Sequence, residues 1–124
     1  MLARIFLALS ALVWLPYGLY CLHTPGSLAD AAGVMAKTPT GTTELRAMYG
    51  GLQAAIGALA LVGCLRGGVT RTALVALGTL TAGLGSARLL GLVVDGGYTG
   101  YTGAGLGFEW TTALVACWLL RRGT

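Results

Sequence analysis

Charge is what this sequence has least of. Of its 124 residues only 10% are Asp, Glu, Lys or Arg, where a soluble domain carries about 25%. So few charges cannot cover a water-facing surface, which excludes an ordinary soluble domain. Acids are the scarcer sign, with 4 against 8 bases and a net charge of +4. A pI near 9.3 in a soluble protein would point to nucleic acid. Here the bases sit at the ends of apolar runs, which points to membrane topology and anionic headgroups instead. No nucleic-acid partner is expected.

Other shortages exclude more chemistry. His23 is the sole histidine, so a bis-histidine haem within one chain is excluded. Cys21, Cys64 and Cys117 show no CxxC spacing, and each lies in or at the end of an apolar run. That pattern argues against a disulfide framework and against a metal site. The three thiols read as small apolar residues, and no metal or cofactor is expected. The glycines of "GAGLGF" follow no soluble strand, so they are no nucleotide loop. Strand-like alternation is lacking as well, which disfavours a barrel.

What is present is apolar sequence, at 56% of residues and a mean hydropathy of +0.77. A spanning helix needs about 20 mainly apolar residues. The chain offers four such runs, over about 3–22, 44–65, 70–94 and 102–120. Backbone groups in lipid must bond within their own segment, so each run is expected to be a helix. The fold class is therefore all-α, an integral membrane up-down four-helix bundle forming a single domain. The first run resembles a signal peptide at Arg4, but it continues through Trp14, Tyr17 and Tyr20. Such an aromatic end is typical of a membrane interface, so a retained first helix is the reading.

Residues 66–69 and 95–101 make tight, Gly-rich turns. The connection over 23–43 is long. Within it "SLADAAGVM" has the make-up of a short interfacial helix, broken by Pro39, Thr40 and Gly41. Thr42 and Thr43 are the candidate N-caps of the second span, with Glu44 in its first turn. Arg4, Arg66, Arg71, Arg121 and Arg122 fall on one side of an up-down arrangement. The positive-inside rule then makes both termini cytoplasmic. The long connection faces outward, with Asp30, Glu44 and Asp95.

One carboxylate breaks the pattern. In "GFEW", Glu109 lies inside the fourth apolar run. The third and fourth helices are antiparallel neighbours, and the middle of their connection falls between Tyr98 and Thr99. Arg88 and Glu109 lie equally far from that midpoint. Both therefore sit at one depth, roughly 10 Å into the outer half. An unpaired charge there costs about 2.5–3.5 kcal/mol on insertion scales. Arg88 and Glu109 are the expected ion pair, on depth alone. On the second helix Arg46, Tyr49, Gly50 and Gln53 are spaced i, i+3, i+4 and i+7, which puts them on one face. The candidate ligand-binding cluster is thus Arg46, Tyr49, Gln53, Arg88 and Glu109, with Asp95 near its mouth. It reads as a structural network, a ligand pocket or a proton path. Gly103 and Gly107 form a GxxxG, expected to serve close packing within the chain.

The motif Glu44-Leu45-Arg46-Ala47-Met48-Tyr49-Gly50-Gly51 resembles the start of the second helix in a domain-of-unknown-function family of small bacterial four-helix membrane proteins. Ala87-Arg88-Leu89-Leu90-Gly91-Leu92-Val93-Val94-Asp95-Gly96 and Glu109 resemble two further marks of that family. The likeness spans nearly the whole chain. It implies a four-helix bundle with the outer polar cluster as a family feature, and it implies no activity. A looser likeness to DoxX-type membrane proteins implies architecture alone.

The expected function is that of a small bacterial inner-membrane accessory protein or complex subunit. Membrane lipids are its expected partners, with a homo-oligomer or a larger membrane complex. The alternative is a protein or enzyme that binds a lipid-like or quinone-like molecule through Arg88 and Glu109. An oligomeric transporter is the third reading.

Overall fold

A computed structural model describes residues 1–123. Among them the chain is helical, in the order α1 (Leu2–His23), α2 (Ser27–Ala32), α3 (Pro39–Leu45), a π segment (Arg46–Gly51), α4 (Leu52–Leu65), α5 (Gly67–Asp95) and α6 (Gly100–Arg121). α3, the π segment and α4 run on as one helix over Pro39–Leu65. Four helices are thus long and apolar enough to cross a membrane. The molecule is an all-α, multi-pass membrane bundle. Its outer faces carry Leu12, Leu90, Val93 and Leu114, all exposed, as a surface in contact with hydrocarbon requires.

The second span begins earlier than the sequence reading placed it. Its N-cap is Thr38, whose Oγ1 accepts from the Gly41 backbone N–H at 3.1 Å. Thr42 and Thr43 are already inside the helix. Pro39 is the first helical residue and starts α3 rather than breaking a helix. Proline suits that place because its fixed φ fits and its missing N–H would be unpaired there anyway. The short helix expected in this connection, α2, ends instead at Gly33, which takes the left-handed conformation at φ 69°. The turns are also tighter than expected. Arg66 alone separates α4 from α5, and residues 96–99 separate α5 from α6.

Small residues decide which helices touch. α1 packs most extensively on α4, and α5 on α6. On the first seam Gly18 lies against Ala54, Gly57 against Leu15 and Gly50 against Leu22. On the second, Gly78 faces Ala116 and Gly85 faces Trp110. With no hydrophobic drive between helices in lipid, such close backbone approach is what holds them. The GxxxG of α6 takes no part: Gly107 meets nothing within 4 Å and Gly103 faces Tyr98 of its own connection. That corrects the expected packing role.

The two pairs meet at the Arg66 end. There Gly63 abuts Ala73, and Thr70 Oγ1 donates to the Gly63 carbonyl at 2.8 Å. The dry core occupies this half, with Leu7, Ala60, Leu74, Leu77, Ala116 and Leu119. Toward the other end, beside residues 24–38, the pairs diverge around a cavity.

Gly57→Val drives a side chain into the Leu15 backbone. It should destabilise the bundle by about 1–3 kcal/mol or more. Gly107→Val, which meets open space, should stay within about 0.5 kcal/mol. Reversible unfolding in mixed micelles measures both; equal losses would contradict this seam.

Candidate functional site

The site lies where the pairs diverge. Tyr101, Gly105 and Glu109 are spaced i, i+4 and i+8 on α6, so they share one face. That face meets Arg88 of α5. Arg88 Nε donates to one Glu109 carboxylate oxygen at 3.0 Å, and Nη2 donates to the other at 2.7 Å. This fork-to-fork geometry is the strong form of the Arg–carboxylate pair. Glu109 is only 4% exposed, so its oxygens rely on that partner for hydrogen bonds rather than on water.

Two glycines make the pair fit. A Cβ on Gly105 would lie 2.9 Å from the Arg88 guanidinium carbon. Gly105 therefore leaves the space that the guanidinium fills. A Cβ on Gly85 would lie 3.4 Å from the Glu109 Cβ and 2.9 Å from the Trp110 indole nitrogen. The Arg88 guanidinium also stands 5.7 Å from the Tyr101 ring centroid, within cation–π range. The Tyr101 hydroxyl in turn pairs with the Tyr17 hydroxyl of α1 at 2.9 Å. One polar chain thus runs Glu109, Arg88, Tyr101, Tyr17, passing from α6 to α5, back to α6 and on to α1.

Above the core this chain borders a cavity of about 630 Å³. All four spans line it. Its apolar wall includes Trp14, Ile56, Leu80 and Phe108, and Trp14 and Phe108 pack with ring centroids 5.7 Å apart. Its polar groups come from Tyr17, Tyr49, Gln53, Thr79, Arg88, Tyr101 and Glu109. The Trp14 indole N–H is buried and takes no acceptor among the described residues.

Of the six cluster residues expected from the sequence, Tyr49, Gln53, Arg88 and Glu109 converge on this cavity. Arg46 and Asp95 do not. Arg46 is exposed and donates through Nη1 to the carbonyls of Leu22 and His23. It thereby caps the C-terminal end of α1. The cause is the π segment. A π turn holds one extra residue, which rotates what precedes it by about 100° against a pure α pattern. Asp95 is the exposed last residue of α5, outside the cavity.

Trp14, Tyr17, Tyr101, Gly105 and Phe108 are the site residues that the sequence reading missed. Trp14 and Tyr17 pass for interfacial aromatics there, whereas Trp14 is 5% exposed and packed in the core. The i, i+4, i+8 spacing of Tyr101, Gly105 and Glu109 was the available signal.

A family model described as Domain of unknown function (DUF4345) matches residues 2–120. The chain belongs to that family. Membership brings no activity with it, and it does not bear on the looser DoxX likeness. No curated protein and no solved structure matches the chain.

Arg88→Met leaves the buried Glu109 without its partner, at a cost below the about 3–5 kcal/mol of a fully buried pair because Arg88 is 26% exposed. Glu109→Met strands Arg88 in the same way. The double variant should be closer to the wild type than the worse single. Unfolding in micelles tests this, and simply additive losses would contradict it.

Proposed function

We propose that the chain binds an amphiphilic small molecule within the membrane. The polar head lies against Arg88, Tyr101, Tyr17, Tyr49 and Gln53, and the apolar body along Trp14, Ile56, Leu80 and Phe108. The observation that carries this reading is the Arg88–Glu109 pair standing in the wall of a 630 Å³ cavity. Small-molecule sites have about 300–1,000 Å³, with mostly apolar walls and a few convergent polar groups.

The chemistry of the wall supports a neutral head that offers hydrogen-bond acceptors. Arg88 and Glu109 cancel in charge, and the other polar lining groups are neutral. Both carboxylate oxygens are engaged, while Arg88 Nη1 takes no acceptor among the described residues. That nitrogen can donate to a carbonyl or ether oxygen of the occupant, and a hydrogen bond from a charged donor is the stronger kind. In this reading Glu109 positions Arg88 and does not itself contact the occupant.

The positive-inside distribution of Arg4, Arg66, Arg71, Arg121 and Arg122 supports cytoplasmic termini, and a bacterial inner-membrane location goes with this reading. The cavity then lies in the outer half. The second reading, an accessory subunit or homo-oligomer held together partly by this network, is favoured by the bidentate bond, which satisfies both charges without a ligand.

Native mass spectrometry of protein released from its own membrane lipid separates the two. The binding reading expects a stoichiometric small molecule on the wild type, lost in Arg88→Ala and kept in Asp95→Asn. Bulk lipid or a second polypeptide alone on the wild type would leave the accessory reading.

A further inference from the structure

The four seams of the bundle are closed unequally. Gly18, Gly50 and Gly57 close the seam between α1 and α4 by backbone contact. Gly78, Gly85 and the ion pair close that between α5 and α6. α1 and α6 pack little, yet the Tyr17–Tyr101 hydrogen bond and the tilted Trp14–Phe108 ring pair bridge them beside the cavity. The remaining seam, between the second span and α5, is closed only at its Arg66 end. At the other end the π segment packs on α1 and makes at most slight contact with α5.

The cavity lining follows that gap. Met48 and Leu52 line the cavity from the second span and are exposed at 54% and 44%. Leu80 and Leu84 line it from α5 and are exposed at 40% and 36%. The same side chains thus face the cavity and the outside; Val13 and Phe108 do so too on the α1–α6 side, but there the Tyr17–Tyr101 bond and the Trp14–Phe108 contact bridge the helices. Between them Gly83 also lines the cavity, and a Cβ there would meet nothing within 4 Å. Apart from the exposed Thr79, the residues at this opening are apolar, as a face turned to hydrocarbon requires.

We propose that this gap is a lateral portal, through which the cavity takes its occupant from the bilayer leaflet beside residues 24–38. The proposal rests on the binding reading above and makes that occupant a bilayer amphiphile with an apolar chain. The chain passes over Gly83 between Leu52 and Leu84, and the head reaches the Arg88 end. Neither charge of the ion pair has to part, because the head needs only acceptors.

The test uses Trp14 as its reporter. Trp14 is 5% exposed and lines the cavity, so a quencher carried on a lipid chain reaches it only from inside. Trp110→Phe and Trp118→Phe leave it as the single tryptophan. This parent is delipidated and reconstituted into phosphatidylcholine brominated on its acyl chains. Trp14 should lose emission relative to unbrominated lipid. Gly83→Phe in the same background should restore the emission, whereas Val93→Phe, an exposed position away from the cavity, should not. Gly83→Leu serves if the phenylalanine variant does not accumulate.

Equal quenching with and without the Gly83 substitution would overturn the portal. So would an unquenched parent that nonetheless carries a stoichiometric small molecule by native mass spectrometry, and the site would then be filled another way. An unquenched parent that carries only bulk lipid would overturn the portal and the binding reading together.

Discussion

An arginine placed within a membrane span needs a partner at its own depth and within its own reach. Much of the half of this protein beside residues 24–38 follows from that need. Arg88 and Glu109 are brought level by the short connection over residues 96–99. The glycines at 105 and 85 let the guanidinium and carboxylate close into a two-point bond without forcing α5 and α6 apart. Tyr101, one further turn along the same face, then faces the guanidinium and hands a hydroxyl to Tyr17. A single charge pair therefore orients three of the four spans. Lysine at position 88 could not do the same, because a point charge lacks the planar fork that engages both oxygens.

The second constraint is packing without a hydrophobic drive. Lipid tails are as apolar as leucine, so helices associate where small residues let backbones approach. Here such residues join α1 to α4 and α5 to α6, and the link at Arg66 joins the two pairs at one end. The half near that link is filled by the apolar core. The other half cannot close to the same extent, because tyrosines, a tryptophan and the ion pair stand between the pairs. The cavity is what that geometry leaves, and its polar groups lie in its wall instead of in lipid.

Much of this was legible in the residues. Four apolar runs and the charge deficit give the membrane bundle, since length and composition alone decide whether a helix can span. Arg88 and Glu109 could be matched because depth along antiparallel neighbours follows from counting residues. Facing is another matter. Arg46 shares a face with Gln53 only in an unbroken α-helix, and the π turn over Arg46–Gly51 moves it to the end of α1. Nothing local in "RAMYGG" announces that extra residue. Thr38 and Pro39 were readable as a helix start, yet a proline between apolar segments also fits a breaker. The Tyr17–Tyr101 and Trp14–Phe108 contacts join residues far apart in the chain, so they depend on helix rotation, which apolar periodicity in a membrane barely encodes. The cavity depends on all of these together.

The site depends on Arg88 and Glu109 being bonded inside the bilayer. The chain contains two glutamates, Glu44 and Glu109, and Glu44 is exposed outside the site. Solid-state NMR of protein in lipid bilayers, with carbon-13 in the glutamate carboxylates and nitrogen-15 in the arginine side chains, measures the pair directly. Strong dipolar dephasing of one of the two carboxylates, lost in Arg88→Met, is the expected result. Two undephased carboxylates would mean that the pair does not form in the membrane, and the cavity wall built around it would have to be rejected.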